Sequence, residues 1–507
     1  MNGQTKGVGI VNNSKEYRRI SRRQFVKRSS LLVGASLVGV NSMSSAVSDE
    51  SLSFMSAIEL AEKVRNKQIS AEELTQHYIS RIERFHEQLN AVVVQDFDRA
   101  LAAAKQADKQ LAAGQTLGPL HGVPITIKES YDVAGLPTTW GIPEAANNVP
   151  GLDAVVVERF KQAGAVLLGK TNVPINLGDY QSYNQIYGTT NNPWDLQRTP
   201  GGSSGGSAVA LAVGLTGLDS GSDIGGSIRN PAHYCGVYGH KPTLGVVPSR
   251  GHQPPGVPAG GQHPDLAVVG PMARNAQDLS FAMDLVAGAD YLTSPGWELN
   301  LPKPKFASFK GLRVALWATD SMSPVATEIQ QQILKLGKIL ESEGAIVSDM
   351  ARPNFSAQLS HETYLPILGG MTGMEEAADL KYSDYLGLHG QRGFLRTQWQ
   401  QFFAQWDVLL CPISATTAFL QDESEDMSAR RLSVNGEERS YFEQLFWAGL
   451  ATVSYLPSTV FPTGLSESGL PIGVQAMGPE FGDYGTIRFA EMVADVMGGY
   501  ITPPGYA

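Results

Sequence analysis

Residues 199–231 read TPGGSSGGSAVALAVGLTGLDSGSDIGGSIRNP, and this stretch restricts what the rest of the chain can be. Two serine–glycine clusters, 201–207 and 221–227, flank an apolar block, 208–215. Fifteen of these residues are Gly or Ser, a content that a flexible linker shares, but a linker has no use for an apolar block of that size. The block is apolar all round, which predicts a buried helix. Glycine-rich backbone tied to such a helix can bend tightly and aim successive N–H groups at one point. The serines there are candidate reacting groups, and they need a base from elsewhere in the chain.

At 507 residues, 42% hydrophobic and 17% charged, the chain has the composition of a soluble globular protein of one large or two to three ordinary domains. Its net charge of −10 hides an asymmetry. Residues 1–46 hold eight of the 39 Lys/Arg and one of the 49 Asp/Glu, which leaves the remainder at −17. An acidic body argues against nucleic acid or an anionic membrane surface as partner. In the basic start, Arg22-Arg23-Gln24-Phe25-Val26-Lys27 precedes a short apolar run, 31–40, and then small residues ending at Ser44-Ser45-Ala46. That order is that of a signal peptide. It resembles the twin-arginine export signal, with Val26 where Leu is usual. The expectation is a chain handed to the twin-arginine machinery and exported to the periplasm or beyond, with 1–46 removed; a plain basic tail is the alternative. The run is too short and too rich in Gly and Ser for a membrane span, so no stable insertion is expected after cleavage. Cys235 and Cys411 are the only cysteines, too few for a disulfide framework, and read as buried free thiols, with a single bridge between them the alternative in an oxidising compartment. No His/Cys cluster has metal spacing.

Ser56 with Glu59, and Ser70 with Glu73, predict capping boxes that open two helices, the second carrying an apolar stripe of Leu74, Tyr78, Ile82 and Phe85. Further helices are expected at 100–111, 155–163, 278–286, 327–343, 374–386 and 487–497. Strands are expected at 122–128, 165–168, 312–317, 408–411 and 471–477. The alternation argues for an α/β class, with helices covering a mixed, mostly parallel sheet. Residues 291–306 are Pro-rich and would be a linker unless the strand at 312 returns to the same sheet.

Three local patterns compete for the chemistry. Residues 164–171, GAVLLGKT, fit the phosphate-loop spacing, but the interior is an apolar strand and Asn172-Val173-Pro174 does not start a helix, so the strand reading is preferred. Gly201-x-Ser203-x-Gly205 fits a nucleophile elbow, yet Thr199-Pro200 stands where a strand is required. Lys128 ends an apolar strand beside Glu129; alone, it reads as a solvated strand-end lysine.

Together, Lys128, Ser203 and Ser227 and their surroundings resemble the amidase signature family of serine hydrolases. The matching runs are GVPITIKE at 122–129, GKTN at 169–172, GTTNNPW at 188–194, the whole of 199–231, HKPT at 240–243, GPMAR at 270–274 and GLPIGVQ at 469–475. They stand in the family's order from about residue 55 to the end. The resemblance implies a Ser–cis-Ser–Lys triad, with Ser227 as nucleophile, Ser203 as the cis-serine that relays the proton, and Lys128 as base. It implies an oxyanion hole from the N–H groups of Ile224, Gly225, Gly226 and Ser227, with Ser204, Asp223 and Arg229 bracing the loops. It also implies one α/β/α domain over 47–507, no cofactor or metal, and hydrolysis of a small-molecule carboxamide to an acid plus ammonia or an amine. One departure stands out: many members carry an acidic residue soon after the Thr-Asn pair, and here the run is Thr171-Asn172-Val173-Pro174-Ile175-Asn176-Leu177.

The resemblance leaves the acyl and amine specificity and the oligomeric state open. Residues 290–450 match weakly and are expected to supply the acyl-pocket wall; Trp399, Trp406, Phe446 and Trp447 are candidates for that wall and equally for core. Two other functions belong to the same resemblance. One is a subunit of a glutamine-dependent transamidating complex on charged tRNA, against which export and the acidic body speak. The other is a scaffold that has lost activity, against which the intact triad speaks.

Overall fold

Capping fixes where the first helices begin. Ser56 and Ser70 each accept a hydrogen bond from the N–H three residues on, and Glu59 and Glu73 reach back to the serine N–H groups, so both boxes close. They open helices Ala57–Arg65 and Ala71–Leu89, and the stripe of the second is buried. The computed structural model describes residues 52–258, 264–373 and 380–507. The expected signal segment, 1–46, lies outside them, as does part of the helix expected at 374–386; beyond it a helix runs over Tyr382–Gln405. The described residues belong to one compact unit.

Strands β1 (Val92–Gln95), β2 (Pro124–Lys128) and β3 (Val166–Thr171) form one sheet in the order β1–β3–β2. Helix Val155–Gln162 lies between β2 and β3, which pair parallel. The expected strand reading of 164–171 therefore holds: Lys170 is buried and donates to Thr138 Oγ1 at 2.8 Å. A small hairpin follows, β4 (Tyr183–Asn184) with β5 (Gly188–Thr189). A larger sheet takes β6 (Asp219–Asp223), β7 (Tyr238–Lys241), β8 (Val268–Ala273), β9 (Arg313–Leu316), β10 (Ile346–Ser348) and β11 (Val408–Cys411). After a hairpin of β12 (Arg431–Val434) and β13 (Glu437–Ser440), β14 (Ser458–Leu465) and β15 (Pro471–Met477) complete it. Its order is β10-β9-β11-β15-β14-β7-β8-β6. Because β9 sits inside this sheet, the Pro-rich stretch before it does not separate two domains.

The class is α/β and the sheet is mixed, as expected. Its parallel share is smaller than expected: β10/β9 and β9/β11 pair parallel, while the other five neighbours pair antiparallel. The reason is visible at β14 and β15, joined by a short turn that permits only antiparallel return.

The apolar block forms the buried helix Gly205–Ala212, begun three residues earlier than the block itself. Glycine makes that start possible. A Cβ on Gly206 would lie 2.3 Å from the backbone nitrogen of Asn172, so only a glycine lets the helix lie against the end of β3.

Candidate active site

Lys128 is the last residue of β2 and wholly buried. Its Nζ donates to Ser203 Oγ at 2.7 Å and to Ser222 Oγ at 2.9 Å. Burial pushes its pKa down to about 7, against the opposing pull of the Asp223, Asp219 and Glu129 carboxylates. Ser203, 1% exposed, follows a cis Gly202–Ser203 peptide. A Cβ on Gly202 would sit 2.2 Å from the Asp179 carbonyl oxygen, so the glycine lets two backbones touch there.

Ser227 lies one layer outward, 7% exposed on the wall of a cavity of about 920 Å³. The two glycine–serine loops are joined directly. The Ser204 N–H donates to the Ser227 carbonyl at 3.1 Å, and Ser204 Oγ stands 3.4 Å from both the N–H and the carbonyl of Ser222. Asp223 and Arg229 form a buried bidentate pair, Nε–Oδ2 3.0 Å and Nη2–Oδ1 2.9 Å. Burial alone would raise the Asp223 carboxyl, but the Arg229 charge and hydrogen bonds hold it below the ordinary carboxylate value. Arg229 also donates to Gln475 Oε1, the Ala448 carbonyl and Thr452 Oγ1, which leaves the pair well satisfied inside the protein.

One expectation changes. Ile224 and Gly225 line the cavity beside Ser227, but the Gly226 N–H is taken by Asp223 Oδ1 at 3.0 Å. The Asp223 carboxylate, at the end of β6, curls under the loop and captures it. Gly226 is thus part of the bracing, and its φ of +103° needs glycine.

The cavity walls come from parts of 174–189, 224–227, 368–373, 423–427 and 441–445, so the weakly matching region does supply wall. Its aromatic residues are Tyr180, Tyr183, Tyr441 and Phe442. Trp399, Phe446 and Trp447 are core instead, and Trp406 lines a separate groove. Asp179, which also lines the cavity, is tied to Arg430 at 2.7 Å and to the Tyr441 hydroxyl. Ser222 was missed by the sequence reading, since no apolar alternation marks β6 as a strand. Cys235 and Cys411 are free and buried. Among the described residues no group of His, Cys, Asp and Glu is arranged to hold a metal ion, and no helix is long and apolar enough to cross a membrane.

A family model described as Amidase matches residues 73–369 and 371–487. The chain belongs to the amidase family. It is an amidohydrolase acting on carbon–nitrogen amide bonds. This amidase is 34% identical over 455 residues to an indoleacetamide hydrolase of Bradyrhizobium diazoefficiens, covering 83% of this chain and 82% of the relative. It is 32% identical over 468 residues to a glutamyl-tRNA(Gln) amidotransferase subunit of Cyanothece sp., covering 83% and 93%. Among solved structures, a bacterial aryl acylamidase of the amidase signature family superposes with a TM-score of 0.76 at 26% identity, covering 87% of this chain and 96% of that one. The elbow reading of Ser203 gains nothing from the structure: residues 199–204 are not a strand, and the side chain that reaches Ser203 is a lysine.

Proposed function

We propose that this amidase hydrolyses a carboxamide through an acyl-enzyme on Ser227, with Lys128 as base and Ser203 as relay. The observation that carries the reading is the buried Lys128–Ser203 contact of 2.7 Å, with the next residue, Ser204, bonded at its N–H to the carbonyl of Ser227, which lines the cavity. A lysine near pKa 7 is half neutral at neutral pH and can accept a proton. As the Ser227 oxygen attacks the amide carbonyl, its proton passes to Ser203 Oγ while the Ser203 proton passes to Nζ. The oxyanion that forms is met by the N–H groups left to the loop, those of Ile224, Gly225 and Ser227, each such donor being worth about 3–4 kcal/mol. The proton then returns through Ser203 to the leaving nitrogen, which needs it to depart as ammonia or an amine. Water attacks the acyl-Ser227 by the same route and releases the acid.

An activated serine probe is expected to add its mass to Ser227, read by peptide mass spectrometry, and Ser227→Ala to abolish hydrolysis without loss of fold. An adduct on Ser203 would instead favour the elbow. A panel of amides scored for released ammonia or amine assigns the substrate and would support the inactive-scaffold reading if nothing turned over. We also infer export, from the sequence of residues 1–46. The likeness to the amidotransferase protein favours a second reading, as one component of a transamidating complex. Full-length chain retained in the cytoplasm would speak for it.

A further inference from the structure

The loop at Ile224 and Gly225 is held from outside by two phenols. The Tyr364 hydroxyl donates to the Ile224 carbonyl at 2.8 Å, and the Tyr180 hydroxyl donates to the Gly225 carbonyl at 2.7 Å. Both tyrosines are buried, one on helix Ala357–Thr372 and the other before β4. A Cβ on Gly225 would stand 3.6 Å from the Tyr364 oxygen and 4.0 Å from the Tyr180 oxygen, so the two hydroxyls flank that residue. The Tyr364 ring has room only because its neighbour is Gly449, where a Cβ would come within 2.5 Å of Tyr364 Cδ1. Burial holds both phenols well above their ordinary pKa, so they stay protonated and donating.

In a trans peptide the carbonyl and the N–H point in opposite directions. The Ile224 carbonyl shares its peptide plane with the Gly225 N–H, and the Gly225 carbonyl shares its plane with the Gly226 N–H. The second plane is pinned twice, by Tyr180 at one end and Asp223 at the other. The first is pinned by Tyr364 at its carbonyl, and its N–H belongs to the cavity-lining Gly225. We propose that Tyr364 is a positioning residue for amide hydrolysis: its hydroxyl fixes the Ile224–Gly225 peptide so that the Gly225 N–H meets the substrate oxyanion. This rests on the acyl-enzyme reading above. Tyr180 has a lesser role, because Asp223 holds the same plane without it.

The test is Tyr364→Phe beside Tyr180→Phe, each keeping its ring. Rates are counted per Ser227 titrated with the serine probe, so that a loss of folded protein does not enter. Loss of a whole oxyanion donor costs on the order of 100- to 1,000-fold, and a misaimed one costs less. Tyr364→Phe is expected to lower kcat by roughly 10- to 100-fold with KM within about twofold. Affinity for a boronic acid that mimics the tetrahedral intermediate should fall by a similar factor, and the pH midpoint should stay near 7. Tyr180→Phe is expected to lose less than about threefold. An unchanged kcat in Tyr364→Phe, a loss confined to KM, or equal losses in the two variants would overturn the proposal and leave the acyl-enzyme reading standing. A wild-type protein that takes no probe on Ser227 would overturn both.

Discussion

A lysine can work as a base only where the protein makes its charge expensive, and the burial of Lys128 does this at a cost in stability. Its ammonium has no carboxylate hydrogen-bonded to it, only the Ser203 and Ser222 hydroxyls. With its pKa near 7, kcat/KM is expected to rise about tenfold per pH unit below 7 and to level off above it, as a single deprotonation requires. A flat or acid-optimal profile would remove Lys128 from the role. The same depression has a consequence for folding. The folded pKa lies below the unfolded value, so the unfolded chain binds more protons between about 7 and 10.5. The cost of burying Lys128 is therefore full below pH 7 and fades as the pH approaches the unfolded value. Lys128→Met should abolish hydrolysis and raise Tm by a few degrees at neutral pH, with the gain shrinking toward pH 10. Thermal melts across pH check this; a Met variant less stable than wild type at pH 7 would contradict it. At this scale the residue's own surroundings in sequence do not give its state; only the family resemblance implies a buried, neutral lysine. A lysine at a strand end reads as solvated until the fold places β6 and the Ser203 loop around it.

Elements that announce themselves by apolar period were legible, and those held by polar contacts were not. The capping boxes, the Val155–Gln162 helix, β11 and β15 stand where the pattern put them. β6 does not announce itself, because its sequence Asp-Ser-Gly-Ser-Asp has no hydrophobic residue although every position is buried. Its side chains are held instead by named partners: Asp219 Oδ2 by Thr126, Ser220 by the Gly270 carbonyl, Ser222 by Lys128 and Asp223 by Arg229, while Asp219 Oδ1 is buried without a hydrogen-bond partner among the described residues. Such an element depends on every partner being present. Arg229→Met leaves Asp223 buried without its counter-charge and should cost about 3–5 kcal/mol in denaturant unfolding. A loss under about 1 kcal/mol would mean that the backbone N–H groups alone satisfy the carboxylate. The buried helix makes a steric prediction. Gly206→Ala drives a Cβ into the Asn172 backbone and should destabilise by about 3 kcal/mol or more, beyond ordinary overpacking. An alanine variant with wild-type stability would show that the helix and β3 can separate.

Across the whole molecule, runs far apart in sequence were recognisable before their reason was. Gln475, at the end of GLPIGVQ, accepts from Arg229 and donates to the Pro412 and Trp447 carbonyls, so the most distant run braces the loop of Ser227. The cavity walls from 368–373 and 423–445 were not legible beyond their approximate region, because a wall is made of ordinary side chains with no spacing rule. The start of the chain poses the remaining question of where this amidase works. Eight basic residues against one acid in 1–46, followed by a body of net −17, make a charge contrast that an export signal explains and a transamidating role does not require. The export reading predicts that replacing Arg22 and Arg23 together by lysine keeps charge yet stops translocation, because the paired guanidinium groups are what the machinery would read. Wild-type protein should be recovered outside the cytoplasm with a new N-terminus near Ala46, and the double-lysine variant should remain inside at full length. Both forms should hydrolyse the same amides, since Lys128, Ser203 and Ser227 all lie downstream of residues 1–46. If the wild-type chain stays in the cytoplasm with its first 46 residues attached, the export reading fails, and co-purification with partner proteins and charged tRNA becomes the measurement that decides between the two functions.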